Sequence, residues 1–269
     1  MTRIASLGMY DMPWLAWAND ALWGRVAAGL RDAGFAEVPE ILDRARPLAE
    51  VWRDPSLLFA QTCGYPLVTE LHDVVTPIAA PVYSWPGCVA ATHCSVIAVP
   101  TASSFGTLAD LRGRRVAING RDSNSGMNLL RHAVAPLAEG GRFFGEIVTT
   151  GSHLASLDHV AGGGADVAAI DCVTFGLVQR HLPELVEGVR VIGETTKSPA
   201  LPFVTRTGAS AGEIAMLLSA LREAIADPAL AGAVGALGLA GVEPVSLDDY
   251  ALVWGYEREA MAAGYPVLS

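Results

Sequence analysis

Short apolar runs broken by Gly, Pro or charge alternate along this chain with segments of helical period. Ile4 to Leu7 reads as a buried strand. Trp14, Trp17, Ala18, Leu22, Val26 and Leu30 then recur at three- and four-residue steps, which predicts a helix over 13–33 stopped by Gly34. Strand, loop and helix in that order are the opening of an α/β fold. Further strands are expected within 54–61, over 74–80, from His93 to Pro100 around Cys94-Ser95-Val96-Ile97-Ala98-Val99, and at 115–119, 147–150, 167–170 and 189–192. Helices are expected over 67–72, from Met127 on, and over 154–161 and 172–181, with Ala- and Leu-rich helices in 210–237 and 248–263. The β-loop-α unit repeats three times in the middle of the chain, the pattern of a mostly parallel sheet flanked by helices.

Composition sharpens this picture. A length of 269 residues suits two lobes of roughly 100–150 residues each. The chain is 51% hydrophobic and 17% charged, yet no apolar run approaches the ~20 residues that cross a bilayer, so buried parallel strands account for the apolar content and membrane insertion is not expected. The formal net charge of −10 and the lack of a basic block argue against a nucleic-acid partner. A small anion is compatible with that charge, because backbone dipoles act at a few ångströms while the global field is screened. Cys63, Cys88, Cys94 and Cys172 show no C-x-x-C spacing, so no zinc knuckle is expected. Cys88 and Cys94 are candidates for a bridge in an oxidising compartment, with buried free thiols as the other reading. The first seven residues run straight into a strand without a signal-peptide pattern. That places a protein starting natively at Met1 in the cytoplasm, and one trimmed from a longer precursor in the periplasm.

Ligands of open α/β sheets bind beyond the C-terminal ends of the strands. The expected strand ends are Met9-Tyr10-Asp11, Gly64-Tyr65, Ser123-Asn124-Ser125-Gly126, Ser152-His153 and Asp171. Ser and Asn cap helices well, Gly126 lets a ligand approach the backbone, and the first-turn N–H groups with two hydroxyls make an anion site. Gly151-Ser152-His153 repeats the device before the next helix. Asp171 follows four apolar strand residues, where a carboxylate needs a partner: a ligand proton, a ligand ammonium, a helix N-terminus or an ion pair. Catalytic motifs are lacking: there is no G-x-S-x-G, GxGxxG, Walker A or H-E-x-x-H. Cys172 as nucleophile with His153 as base rests on proximity alone.

Together these residues resemble the phosphonate/phosphite/phosphate ABC-transporter substrate-binding family. The match runs through Leu108-Ala109-Asp110-Leu111-Arg112-Gly113-Arg114-Arg115-Val116-Ala117 and Asp122-Ser123-Asn124-Ser125-Gly126, then Gly151-Ser152-His153, Val160 to Asp171 and Ser198-Pro199-Ala200-Leu201-Pro202. The resemblance implies a two-lobed type 2 periplasmic-binding-protein fold, with 1–96 plus 204–269 in one lobe, 97–203 in the other and the ligand cleft between them. It implies that Ser123, Asn124, Ser125 and Gly126 hold an oxyanion, that Ser152 and His153 face it, that Asp171 is the acidic pocket residue, and that Tyr10 and Tyr65 contribute from the other lobe. The implied function is solute binding by hinge closure, linked to an ABC permease or a sensor partner, without cofactor, metal or catalysis. An enzyme or a ligand-sensing interaction module on the same fold remains the alternative.

Overall fold

The computed structural model describes residues 3–269. Its strands are β1 (Ile4–Ser6), β2 (Leu57–Gln61), β3 (Val75–Tyr83), β4 (Thr92–His93), β5 (Ser95–Pro100), β6 (Arg115–Ile118), β7 (Glu146–Thr149), β8 (Val167–Asp171), β9 (Val189–Glu194), β10 (Ser198–Pro199), β11 (Phe203–Arg206) and β12 (Leu239–Pro244). They form two five-stranded sheets, ordered β1-β2-β11-β3-β12 and β7-β6-β8-β5-β9, and a two-stranded ribbon of β4 and β10. The chain divides into two compact units: one holds residues up to Ser84, Val89–Ala91 and Pro199–Tyr250, and the other Trp85–Cys88, Thr92–Ser198 and Ala251–Ser269.

In the first unit Ala18, Leu22, Val26 and Leu30 of the apolar stripe are buried on the helix Ala16–Asp32 together with Trp23, whereas Trp17 is exposed and Trp14 lies in the turn before the helix. Trp23 stacks on Phe59 of β2 at 5.8 Å between ring centres, and Phe59 on Phe203 of β11 at 5.2 Å. β2 is buried along its whole length. The sheet is mixed: β1 and β2 are parallel, whereas β11 is antiparallel to both β2 and β3. Ser210 and Glu213 close a capping box at the start of the helix Ala211–Ala226, and Glu213 also pairs with Arg3 and Arg206.

The second unit centres on β8, every residue of which is buried. β6 lies parallel to β7 and β8, and β5 runs antiparallel to β8 and β9, so this sheet is also mixed. The helix Ala251–Ala262 belongs to this unit, whereas the sequence reading sets 204–269 wholly in the other lobe. The reason is the buried polar face it serves. Arg131 is 4% exposed, donates to Asn128 Oδ1 at 2.7 Å and to the Pro266 carbonyl at 2.9 Å, and pairs with Glu257 at 3.3 Å. A guanidinium that deep requires acceptors, and 251–269 supplies two of them.

Candidate functional site

The β6-to-helix turn of the second unit builds the strongest candidate. Ser123 takes an extended conformation as N-cap, and its Oγ accepts the Gly126 N–H at 2.9 Å. Its carbonyl accepts the Asn128 N–H at 3.0 Å, five residues on, so the first turn, Asn124–Asn128, is a π-turn that runs into the α-helix Leu129–Val134. The wide turn spreads the first N–H groups, which have no carbonyl of the helix itself to bond. Ser95 Oγ holds the Ser125 carbonyl at 2.8 Å from β5. Ser125 Oγ meets His153 Nε2 at 2.8 Å.

The remaining residues read from the sequence fall in different places. Asn124 is fully buried and donates from Nδ2 to Ser198 Oγ at 2.8 Å, while its Oδ1 accepts from Asn128 at 3.1 Å; it braces the turn from behind. Gly126 packs so tightly on Asn119 that an added Cβ would fall 1.8 Å from Asn119 Oδ1. Ser152 is exposed and caps the helix His153–Ala161 by accepting from the Ala155 N–H at 3.0 Å. Asp171 is 2% exposed with both oxygens engaged: Oδ1 with His93 Nδ1 at 2.8 Å, and Oδ2 with the Thr174 N–H and hydroxyl at 3.1 Å each. It therefore acts as a helix cap and as the partner of a buried histidine. Tyr10 and Tyr65 lie in the first unit. Tyr10 is buried, edge-on to Tyr83 at 5.7 Å, and Tyr65 is half-buried in the first turn of the helix Gly64–Thr69.

His93 and Asn119 escape the sequence reading. His93 opens the run assigned to a strand, where a lone imidazole gives no pattern. Asn119 follows the last residue of β6, so the strand-end rule could have found it.

Electrostatics tie these groups together. Burial alone would raise the Asp171 pKa, but the bond from His93, its charge and that of His153, and the Thr174 N–H bring it down to about 2. Loss of solvent around the His153 ring lowers its pKa to about 4, against the opposing pull of Asp171. His153 is therefore neutral at pH 7. A folded-state pKa below the ordinary value of 6.5 means the unfolded chain binds the proton more readily, so this stability is complete above pH 6.5 and is lost as the pH falls toward 4. Unfolding measured at pH 7 and pH 5 should show the wild type losing about 2 kcal/mol more than His153→Gln between the two. Equal losses would remove His153 as the source.

Among the described residues no three His, Cys, Asp or Glu side chains are arranged to hold a metal ion. A cavity of about 870 Å³ in the first unit is lined in part by Arg3, Ile41, Asp43, Arg44, Arg46 and Asp54. Its arginines already face carboxylates, Arg44 with Asp11 and Asp20, and Arg46 with Asp43 and Asp54, which leaves little free cationic charge there.

The family model described as ABC transporter, phosphonate, periplasmic substrate-binding protein matches residues 56–250. Among solved structures, the binding component of an ABC phosphonate transporter from Pseudomonas aeruginosa superposes with a TM-score of 0.74 at 16% identity, covering 98% of this chain and 88% of that one. PhnD1 from Prochlorococcus marinus, in complex with methylphosphonate, gives 0.72 at 14% identity over 96% and 97%. A Xanthomonas citri protein bound to ATP gives 0.71 at 17% identity, covering 98% of both chains. No curated protein matches the sequence. The likenesses identify the fold as that of the two-lobed type 2 periplasmic binding proteins.

Proposed function

Because the chain belongs to the periplasmic phosphonate substrate-binding family of ABC transporters, we propose that it is a periplasmic solute-binding protein that takes up a small oxyanion of the phosphonate type and delivers it to an ABC permease. No described helix is long and apolar enough to cross a membrane.

The observation that carries the reading is the Ser125–His153 contact at the head of the helix 124–134. For this reading we place the proton of neutral His153 on Nε2, so that the ring donates to Ser125 Oγ. The Ser125 hydroxyl is then free to donate its own proton to a ligand oxygen. Added to the head of the helix 124–134, whose Gly126 N–H is held by Ser123 Oγ, this makes a neutral, donor-rich site for an oxyanion, the chemistry for which helix N-termini are suited. Gly126 lets the turn pack closely against Asn119. Asp171, His93 and Asn124 hold the donors in place, and in this reading do not touch the ligand.

A serine 2.8 Å from a histidine is also the contact of a nucleophile with its base, which keeps a hydrolase as the second reading. Two features favour binding over turnover. A base with a pKa of about 4 accepts protons poorly at neutral pH, and the carboxylate that could orient it is bonded to His93 instead.

Titration calorimetry of ligand-stripped protein with methylphosphonate, phosphite, phosphate, sulfate, an alkanesulfonate and ATP tests the reading. One phosphorus oxyanion is expected to bind. Ser125→Ala should weaken it about 10- to 100-fold, the value of one charge-assisted hydrogen bond. Silence across the panel, or turnover of a phosphate or carboxylate ester that depends on Ser125, would overturn it.

A further inference from the structure

Three of the four cysteines meet inside the second unit, outside the oxyanion turn. Cys172 opens the helix Cys172–His181. Its Sγ lies 3.5 Å from the Sγ of Cys88, 84 positions earlier in the chain, and accepts the Cys94 N–H at 3.5 Å. The Cys172 N–H donates in turn to the Cys94 carbonyl at 3.0 Å, which holds the two backbones together.

The segment that carries Cys88 is built against these sulfurs. The Cys88 N–H closes a turn on the Trp85 carbonyl at 3.1 Å, and Lys197 Nζ clamps the Gly87 carbonyl at 2.7 Å. Gly87 has a φ of +88°, and a Cβ there would fall 2.9 Å from Cys172 Cβ and 3.0 Å from Cys94 Sγ. Only glycine lets the turn sit this close. Cys94 and Cys172 are buried, whereas Cys88 is part-exposed. The neighbouring sulfur and burial push the Cys94 thiol up, and the Cys88 contact with burial does the same for Cys172, against a smaller opposing effect of Cys94. The buried pair is therefore a pair of neutral thiols, and the arrangement is not that of a metal site.

We propose that Cys88 and Cys172 form a disulfide by exchange with a small exogenous disulfide, with Cys88 as the entry sulfur and Cys94 as a third thiol that stays reduced. In the first step the Cys88 thiol loses its proton and its sulfur attacks one sulfur of the exogenous disulfide. The S–S bond of that molecule breaks, and its other half leaves as a thiolate that takes up a proton. In the second step the Cys172 sulfur attacks the Cys88 sulfur of the mixed disulfide. The remaining half leaves as a thiolate and takes up the Cys172 proton. Two protein thiols are oxidised and one exogenous disulfide is reduced to two thiols. The sulfurs must close from 3.5 Å to about 2.05 Å, which side-chain rotation at the part-exposed Cys88 can supply. Cys88 is the entry point because an oxidant can reach it; Cys94 has no such access.

The test is to incubate the full chain with oxidised glutathione, trap free thiols with iodoacetamide, and map linkages by mass spectrometry without reduction. Before trapping, the expected product is lighter than the reduced chain by two hydrogens; after trapping it carries carbamidomethyl groups on Cys63 and Cys94 only, shows the Cys88–Cys172 linkage and reverts with dithiothreitol. Cys94→Ser and Cys63→Ser should still form it, and Cys88→Ser should not. A Cys94–Cys172 linkage, a glutathione adduct that persists on Cys88, or a fully reduced chain would each overturn the proposal. Because the wild-type map decides on its own, a variant that fails to fold leaves the test intact.

Discussion

Gly126→Ala is expected to weaken oxyanion binding by about tenfold or more and to cost roughly 1–3 kcal/mol of stability, the usual range for forcing an atom into a filled space. The new methyl carbon would lie 1.8 Å from Asn119 Oδ1, 2.9 Å from Asn119 Cγ and 3.2 Å from His153 Cε1. The Asn119 backbone cannot retreat easily, since its carbonyl accepts the Gly151 N–H at 3.1 Å. The carboxamide must therefore swing about its first side-chain bond, or the π-turn must lift away from β6. Either movement displaces Ser125 and His153, the two groups proposed to present the hydroxyl to the ligand. Asn119 Oδ1, the atom the new methyl would strike, has no hydrogen-bond partner among the described residues. The double variant Gly126→Ala with Asn119→Ala should recover most of the loss in a methylphosphonate titration and in a melting curve. Simple additivity of the two changes would show that the clash is not the cause.

Asp171→Ala should cost more stability than Gly126→Ala, about 3–5 kcal/mol, because three buried donors lose their acceptor at roughly 1–3 kcal/mol each. Its carboxylate accepts from His93 Nδ1 and from both the N–H and the hydroxyl of Thr174. All three donors lose their acceptor together, and His93 is 1% exposed, with no route to water. The melting temperature should fall on the order of 10 °C. Asp171→Asn, which keeps an oxygen for Thr174, should lose less. His93→Leu in the Asp171→Ala background should recover part of the deficit, because the stranded imidazole disappears with its partner. A double variant as unstable as the sum of the two singles would mean that the pair contributes nothing jointly. Chemical denaturation of the wild type, the three single variants and the double variant at pH 7 settles the comparison, since a pKa of about 2 keeps Asp171 ionised there.

The strands and helices of the second unit are legible in the sequence because their signals are local. Cys94 to Val99 is β-branched and apolar, and Ser123 and Ser152 cap their helices with the hydroxyls that sequence preference favours. β12 is not legible: Leu239-Ala240-Gly241-Val242-Glu243-Pro244 lies at an edge of its sheet, where Gly, Glu and Pro are tolerated and the pattern fades. The antiparallel runs of β5 and β11 are hidden for a different reason. Strand direction is a property of the connection and leaves no mark on the strand's own residues. The site shows the same division. The Ser123–Gly126 turn can be read in one dimension, but the partnership of Asp171 with His93 spans 78 positions and exists only once β8 and the segment at His93 are side by side. Asn124 reads as a residue that holds the oxyanion from its place in the cap and from the family resemblance, and its bond to Ser198 across 74 positions leaves no mark in the local sequence.

The return of residues 251–269 to the second unit sets an order on how this protein can mature. A ribosome delivers 92–198 first, and then the 52 residues Pro199–Tyr250 that complete the other unit. Until 251–269 emerges, the Pro266 carbonyl and Glu257 are missing from Arg131, and the Val253 carbonyl from Asn128. A nascent chain halted before residue 251 therefore carries a buried-type arginine with nowhere to bury it. The helix that heads the proposed oxyanion site lacks these partners until the whole of the other unit has been translated, so ligand competence is expected to wait on residues 251–269.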